Sequence, residues 1–282
     1  MPITISLNAS NVVAGSTNSV YSYRFPNSAV FSKGDKVALQ SLSIYYSWYN
    51  ITSVYNNNSF SYNWTVGVVT TVYPVVLPNG FFTISNINSY FQSVMFANGT
   101  YLINASGNFV YYSEIVANSV VNAFQINSYP VPTVLPAGYS QPANFAGYPA
   151  VPSTPQFIIP STSIQTLLGF TQGSYPPAIQ STAYSALSQT TPQISPITSV
   201  YMFCNLVRNN LSRPNSILYN FSANTTFGSQ IQIVPPYLIS IPIQQGTYPE
   251  VRVSFVDQNY NAIAIGDPNV SILLAISTAD DR

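Results

Sequence analysis

Side chains that titrate, bind metals or carry charge are scarce in this chain. Its 282 residues include no histidine, one cysteine, seven Lys or Arg and seven Asp or Glu. General acid–base catalysis, metal ligation and phosphate binding depend on those residue types. Between Lys36 and Arg208 the one formal charge is Glu114. The composition argues against an enzyme that moves protons, and it predicts no catalytic residue, no cofactor and no metal site.

The few groups that could still do chemistry have simpler structural explanations. Asp257 and Asp267 lie in adjacent predicted turns and, with backbone carbonyls, could hold Ca²⁺, but turn aspartates need no ion and EF-hand spacing is missing. Glu250, Arg252 and Asp257 predict a surface ion-pair group of small energetic value. Cys204 has no His or Lys beside it in an apolar segment. That setting favours a buried strand residue over a nucleophile.

Aromatic and neutral polar residues take the place of the charged ones. The chain has 22 Tyr, 16 Phe and 22 Pro, and its hydrophobic content of 46% excludes a disordered chain. Neutral polar groups cost far less to desolvate than charges, so such a surface suits burial against protein. A net charge of zero offers no basic footprint for nucleic acid or an anionic membrane. We predict self-association and no direct nucleic-acid partner.

The first residues, Met-Pro-Ile-Thr-Ile, show neither a basic region nor a long apolar stretch. The sequence therefore predicts no signal peptide and no membrane-spanning segment, and it indicates assembly in a reducing cytosol. Without a secretory signal, the ten N-x-[S/T] sequons are interpreted as a by-product of Asn, Ser and Thr richness rather than as glycosylation sites. They lie at Asn8, Asn50, Asn57, Asn63, Asn98, Asn104, Asn210, Asn220, Asn224 and Asn269.

Strand patterns recur along most of the chain, as alternating or continuous runs of β-branched and aromatic residues. Turns at 257–259 and 266–269 make the last three predicted strands two consecutive hairpins. No repeat of fixed period is visible, which argues against a propeller or a β-helix. The predicted strands are 3–7, 19–25, 37–48, 62–69, 72–77, 100–103, 109–115, 119–126, 197–207, 217–221, 230–234, 237–243, 251–256, 261–265 and 270–276.

One amphipathic helix is predicted as a cover for a sheet. Ser85 is expected to cap it and Asn98-Gly99 to end it. Its apolar stripe consists of Ile87, Tyr90, Phe91 and Val94.

The range Tyr129–Pro196 has a different character, because it holds twelve of the 22 prolines. Proline is excluded from central strands, so turns, extended edges and loops are expected there. Ser163–Gly169 has a capping serine and a terminating glycine, which predicts one short helical turn. A flexible linker is the alternative, but Phe157, Ile158, Ile159, Leu167, Leu168 and Phe170 are too apolar to be left in water. An ordered insertion or a long loop is therefore favoured.

Three segments resemble the penton or minor capsid proteins of virophages, polinton-like viruses and related large double-stranded-DNA viruses. They are Gly80–Phe91, Ser163–Phe170 followed by Tyr175-Pro176, and Val251–Asn259 continuing to Ile276. The resemblance implies a jelly roll of two facing sheets in Greek-key order, a place in an icosahedral shell and no catalytic residues. Major capsid proteins of this lineage are double jelly rolls and usually much longer, so the length of this chain points to the vertex or to a minor position.

We therefore expect an all-β chain that forms one jelly-roll domain over residues 1–282, with one short covering helix and 129–196 as an insertion or extended loop. The expected function is that of a capsid penton or minor capsid subunit. Its expected partners are copies of itself in a pentamer, major capsid protein neighbours, and a vertex fibre or host receptor. The expected location is the capsid vertex of the virion, after assembly in the host cytoplasm.

Two alternatives belong to other classes of function. A receptor- or glycan-binding attachment module on the same vertex fits exposed Tyr and Asn, which bind sugars by stacking and hydrogen bonding. A trimer that binds glycans would favour it. A hydrolase on a jelly-roll scaffold is disfavoured, because glycosidases need two facing carboxyl groups. Of the seven acids, only Glu114 and Glu250 lie outside predicted turns and the C-terminal tail.

Overall fold

The computed structural model describes residues 3–278, which form eighteen strands and two α-helices. The chain is all-β, as predicted. The elements are β1 (Ile3–Leu7), β2 (Val20–Phe31), β3 (Lys36–Tyr45), β4 (Ser59–Val66), β5 (Val69–Val76), α1 (Ile84–Ala97), β6 (Tyr101–Ile103), β7 (Phe109–Tyr111), β8 (Ser113–Asn118), β9 (Ala123–Ser128), β10 (Phe157–Ile159), α2 (Ile164–Leu168), β11 (Gly173–Tyr175), β12 (Tyr184–Leu187), β13 (Val200–Cys204), β14 (Ile217–Phe221), β15 (Gln230–Ile233), β16 (Ile241–Pro242), β17 (Gly246–Val256) and β18 (Ser271–Ser277).

The chain divides into two compact units. One consists of Met1–Trp48 with Ile197–Arg282, and the other of Tyr49–Pro196. We call the first the jelly-roll unit, for the strand order given below, and the second the inserted unit. The range 129–196 lies within this unit, and its buried apolar residues pack with α1, β4, β5, β8 and β9 in one core.

The jelly-roll unit contains two antiparallel sheets. In one the strand order is β1-β18-β3-β15, and in the other it is β2-β17-β13-β14. With β16 treated as an extension beside β3, this unit has eight main strands in chain order: β1, β2, β3, β13, β14, β15, β17 and β18. Numbered by these positions, the strand orders of the two sheets are 1-8-3-6 and 2-7-4-5. Two interleaved Greek keys of this kind define a jelly roll. The predicted jelly roll is confirmed by this order, and the whole inserted unit lies in the chain between its third and fourth strands.

The core of the jelly-roll unit follows the alternation of β17. Val251, Val253 and Phe255 are fully buried, as predicted from the sequence. The Phe255 ring meets Tyr21 edge-on, with the ring centroids 6.1 Å apart, and it meets Phe221 at 6.4 Å. Side chains from three strands thus fix the centre of this core.

The predicted inward face of β3 is also confirmed. Leu42 and Ile44 are fully buried, and Tyr46 and Trp48 stay buried beyond the end of the strand at Tyr45. The alternation continues past the hydrogen-bonded ladder because side-chain burial does not require strand pairing.

The prediction that the chain closes with two consecutive hairpins is wrong. β17 pairs with β2 and β13, whereas β18 pairs with β1 and β3, so the two strands lie in different sheets. Where a strand was predicted at 261–265, the structure has an isolated bridge between Val256 and Ala262. Ile263 and Ile265 are nevertheless buried. These two side chains belong to the connection between β17 and β18 rather than to a paired strand.

The inserted unit has its own core beneath α1. Its sheets have the orders β11-β10-β4-β5, β12-β9-β8 and β6-β7. Phe60 and Phe157 stack with their centroids 4.4 Å apart, and Phe91 of α1 meets Phe60 edge-on at 5.5 Å. Within the range 129–196 the chain forms β10, α2, β11 and β12, and Phe157, Ile159, Leu167, Leu168 and Phe170 are buried.

Helix α1 begins two residues earlier than a cap at Ser85 would place it. Thr83 is the N-cap, and its hydroxyl accepts a hydrogen bond of 3.2 Å from the Asn86 N–H. The Asn86 side chain accepts one of 3.0 Å from the Thr83 N–H, which completes a capping box. Ser163 precedes α2 as predicted, but its hydroxyl makes no capping bond to the described backbone. Gly169 ends α2 in the left-handed conformation at φ 77°.

A buried asparagine joins the two ends of the inserted unit. Asn50 Nδ2 donates to the Phe82 carbonyl at 2.8 Å and to the Ile194 carbonyl at 2.7 Å. The Phe82 N–H donates back to Asn50 Oδ1 at 2.8 Å. These bonds hold the start of the segment beside its end. An insertion with adjacent ends is compatible with a host fold that continues on either side of it.

Candidate assembly surfaces

Formal charge is nearly missing from the inserted unit. Between residues 49 and 196 the one charged residue is Glu114, on β8. Its carboxylate accepts hydrogen bonds from Asn127 Nδ2 at 3.0 Å and from the Tyr129 hydroxyl at 3.3 Å. The surface of this unit is therefore formed by neutral side chains. Protein contacts on such a surface carry little cost of desolvating ions.

Asp257 and Asp267 accept hydrogen bonds from backbone N–H groups of their own turns. Asp257 Oδ1 accepts the N–H groups of Asn259 and Asn261, at 2.8 and 2.9 Å. Asp267 Oδ1 accepts the Asn269 N–H at 2.7 Å. These bonds account for both residues without an ion. Across residues 3–278 no three His, Cys, Asp or Glu side chains gather closely enough to hold a metal.

The predicted ion-pair group around Glu250 has neutral partners instead. The Ser22 hydroxyl on the neighbouring strand donates to Glu250 Oε2 at 2.6 Å. The Asp257 carboxylate is occupied by its own turn.

The strongest pKa shifts belong to core residues. Burial raises the pKa of Cys204 to about 11, and its side chain is 1% exposed. Burial also raises the pKa of Tyr21, Tyr62 and Tyr112 to about 12. A group with a pKa in this range is neutral at physiological pH. Cys204 is therefore a buried apolar residue, as predicted, and not an activated nucleophile.

Three of the sequon asparagines are structural. Asn50, Asn57 and Asn63 are at most 4% exposed. Asn57 Nδ2 donates to the Asn50 carbonyl at 2.9 Å, and Asn63 Oδ1 accepts the Gln156 N–H at 2.7 Å. Their side chains are used inside the fold, which agrees with the interpretation of these sequons as compositional.

The edges of the jelly-roll unit form two different flanks. β1 and β2, the edge strands of the two sheets, border one groove, and β14 and β15, at the opposite edges, border another. Edge strands carry backbone groups that invite contact with other chains. Each subunit therefore presents two unlike lateral surfaces.

The groove between β1 and β2 is apolar. Its volume is about 280 Å³, and Ile3 and Val30 at its rim are 57% and 73% exposed. Among the described residues of its lining, Asp35 alone is charged; it is 5% exposed and accepts the Ser32 N–H at 2.8 Å. The other apolar lining residues are Ile5, Phe25, Ala29, Phe31 and Ile276.

The groove between β14 and β15 is polar and larger, at about 530 Å³. Tyr219, Phe221, Ile231 and Ile233 contribute apolar surface to it. Amide and hydroxyl side chains make up the rest of the lining: Asn220, Ser222, Asn224, Thr225, Gln230 and Gln232.

An apolar loop projects beside β15. The flanking strands β15 and β16 both pair with β3, through Ile233 opposite Leu42 and Ile241 opposite Val37. The longer segment 234–240 therefore lies opposite the shorter segment 38–41, and the excess backbone must leave the sheet. We call 234–240 the β15–β16 loop. Its large apolar side chains are exposed: Val234 by 63%, Tyr237 by 83%, Leu238 by 53% and Ile239 by 64%.

The β15–β16 loop was not predicted, because the apolar run 237–243 has the residue types of a strand. The signal against that interpretation is Pro235-Pro236. Consecutive prolines cannot supply the backbone donors of a sheet ladder, and the following Tyr237-Leu238-Ile239 does not alternate.

The inserted unit also exposes an apolar edge. Val69, Val72 and Val76 on β5 are 65%, 56% and 56% exposed. β5 pairs with β4 and ends the path of its sheet. Pro74 lies within this strand and lacks a backbone donor, a feature that protects edges against unwanted strand pairing.

The strand order and the two unlike flanks define a jelly-roll protein with an inserted unit and surfaces suited to protein contacts. Within residues 3–278, neither helix has the length and apolar character needed to cross a membrane.

No protein-family model matches the chain, and no curated protein matches it by sequence. Among solved structures, the chain is similar to the mavirus penton protein, with a TM-score of 0.46, 11% identity and coverage of 99% of this chain and 98% of that one. It is also similar to a chain of the Sputnik virophage structure, with a TM-score of 0.38, 12% identity and coverage of 99% of each chain. Neither similarity is strong enough to carry an argument about function, so the fold assignment depends on the strand order.

Proposed function

We propose that this chain is a structural protein of a virion, a capsid subunit that forms pentamers at the fivefold vertices of an icosahedral shell. The observation that carries the proposal is the jelly-roll unit with two unlike, nearly uncharged lateral flanks. Jelly rolls serve as viral capsid domains, lectins and cupins. A cupin-like metal site draws on imidazole ligands, and this chain contains no histidine.

The unlike flanks favour a ring over a two-fold dimer. A two-fold contact uses the same patch on both subunits, whereas a ring needs one patch to dock on a different patch of the next copy. Apolar and neutral polar flanks also suit an interface that repeats once per copy, because each repeat would otherwise desolvate charges again. In the shell, such a ring would contact copies of the major capsid protein around it.

Native mass spectrometry of the purified full chain tests the proposal. We expect a cyclic pentamer with the same mass at ~0.05 M and ~0.5 M salt, since screening acts on charges and the described lining of the two grooves carries only the buried Asp35. The mass should also be constant between about pH 5.5 and 8, where histidine would be the usual titrating side chain. A trimer, or density away from every fivefold axis in a map of the particle, would contradict the vertex assignment.

The polar groove between β14 and β15 favours one second candidate, a glycan- or receptor-binding attachment module on the virion. Its volume of about 530 Å³ lies in the usual range for ligand sites. Its amides, hydroxyls and Tyr219 are groups that bind sugars. Binding on a glycan array that is lost in Gln232→Ala would support this candidate. An array without signal, together with a ring of five, would favour the penton.

A further inference from the structure

The jelly-roll unit carries an exposed apolar projection and an exposed apolar groove at opposite edges of one sheet. In the order β1-β18-β3-β15, the groove borders β1 and the β15–β16 loop follows β15. Three strand spacings, roughly 15 Å, separate these edges. One subunit cannot satisfy both surfaces by folding onto itself.

We propose that the β15–β16 loop of one copy occupies the β1–β2 groove of the next copy. This inference rests on the proposed ring, and it assigns the residues that close it: Tyr237, Leu238 and Ile239 on the loop, and Ile3 and Val30 at the groove. The occupant of the groove is a second copy of this chain.

The loop has the properties of a preformed ligand. Pro235-Pro236 restricts the backbone just before the apolar side chains, which lowers the entropy lost on docking. Tyr237 is 83% exposed, and a projecting aromatic residue is a common anchor at protein interfaces. An apolar patch of this kind, left in water on a subunit, marks a contact surface.

The groove complements the loop in polarity and charge. Its rim residues Ile3 and Val30 are apolar and exposed, and the loop 234–240 carries no charge. The carboxylate of Asp35 is already hydrogen-bonded within its own subunit. Filling the groove with Leu238 or Ile239 therefore buries apolar surface on both sides without leaving a charge unpaired.

The arrangement is heterologous, which gives it a specific geometric consequence. Each copy donates its loop in one direction and accepts a loop from the other direction. Contacts of this type form a closed ring when the rotation between neighbours sums to a full turn, and an open chain when it does not.

Two single variants test the contact. Leu238→Asp places a charge on the loop, and Val30→Asp places one in the groove. Leu211→Asp is the matched control, because Leu211 is 98% exposed in the same unit and lies on neither surface. Thermal unfolding checks that all three chains keep the fold. We expect each test variant to raise the apparent dissociation constant of the ring by ~30-fold or more, as for a central anchor residue, and the control to leave it unchanged.

A mixing experiment separates this contact from other interfaces. The Leu238→Asp chain keeps an intact groove, and the Val30→Asp chain keeps an intact loop. Mixed together, the two chains should form one sound loop–groove contact and give a heterodimer in native mass spectrometry, although each alone is monomeric. The double variant Leu238→Asp/Val30→Asp has neither surface and should not pair with itself or with either single variant.

The outcomes distinguish this inference from the proposed function. If the wild type is a pentamer and both test variants remain pentamers, the loop–groove contact is wrong and the ring stands. If the wild type is a trimer that the variants dissociate and mixing yields the heterodimer, the contact stands and the fivefold position is wrong. A wild type that stays monomeric at the highest attainable concentration would count against both.

Discussion

Phe255 shows how one side chain can report on the jelly-roll core. It is fully buried between Tyr21 and Phe221, on strands of the same sheet. Phe255→Ala should leave a cavity and lower the free energy of unfolding by about 3–5 kcal/mol. Urea unfolding followed by tryptophan fluorescence measures this, because Trp48 lies in the jelly-roll unit and Trp64 in the inserted unit.

The control for Phe255 is Leu211→Ala. Leu211 is 98% exposed, so its truncation should change the free energy of unfolding by no more than about 0.5 kcal/mol. Equal stabilities of the Phe255→Ala chain and the wild type would show that the inward face of β17 has been assigned wrongly.

Tyr62 links side-chain burial to alkaline stability. Burial raises its pKa to about 12, against an ordinary value of 10.0, although hydrogen bonds with Thr100 and Asn98 act in the opposite direction. Well below pH 10 the tyrosine is protonated in both folded and unfolded chains, so its contribution is fully present. As the pH rises from 10 to 12, the unfolded chain releases a proton that the folded chain retains, and the free energy of unfolding must fall.

Unfolding by urea at a series of pH values tests this coupling. We expect stability to be flat up to about pH 8, to begin to fall as Cys204 ionises in the unfolded chain, and to decline more steeply above pH 10 as the buried tyrosines follow. Tyr62→Phe should be less stable at neutral pH and should lose stability less steeply in alkali. Leu211→Ala, an exposed change that removes no titrating group, should keep the slope of the wild type. A slope in Tyr62→Phe as steep as in the wild type would refute the coupling.

Among the elements, α1 allows two caps to be compared directly. Thr83 has the capping-box bonds with Asn86, whereas Ser85 is exposed inside the first turn. Thr83→Ala should lower the stability of the inserted unit by about 1 kcal/mol. Ser85→Ala should be neutral or slightly stabilising, because alanine has the higher helix propensity. If Ser85→Ala lowered the stability more than Thr83→Ala, Ser85 rather than Thr83 would be the N-cap.

Local patterns predicted most single elements but not their pairing. Strand 217–221 was predicted with the bounds of β14, and the buried faces of β3 and β17 were predicted correctly. Alternation depends only on which side of a strand is buried, so it can be read from neighbouring residues. The partner of a strand is set by residues far away in the chain, as β1 and β18 illustrate. For that reason the closing hairpins were predicted wrongly.

The chemical character of the candidate assembly surfaces could be predicted from the sequence, but their position in the fold could not. Composition alone indicated neutral surfaces suited to protein contacts. The groove could not be found from sequence, because Ile3, Val30 and Ile276 come together only through the jelly-roll order. The β15–β16 loop was not predicted for another reason. An exposed apolar run and a buried strand have the same residue types, and only Pro235-Pro236 distinguishes this loop from a strand.

At the scale of the whole molecule, the charged residues are distributed unevenly along the chain. All charged residues other than Glu114 lie outside the range 49–196. The pH and salt tests of the ring therefore probe mainly the jelly-roll unit, and the inserted unit should respond to neither.

The pairing of β1 with β18 also determines when the jelly roll can close during synthesis. β1 is made well before its partner β18, whereas the inserted unit is a continuous segment with its own core. We therefore expect the inserted unit to fold on the nascent chain while the jelly roll is still open. Ile276, which lines the docking groove, lies on β18. Neighbouring nascent chains on one messenger RNA would then be unable to accept each other's loops before β18 is made, so the order of synthesis would delay polymerisation until β18 has joined β1.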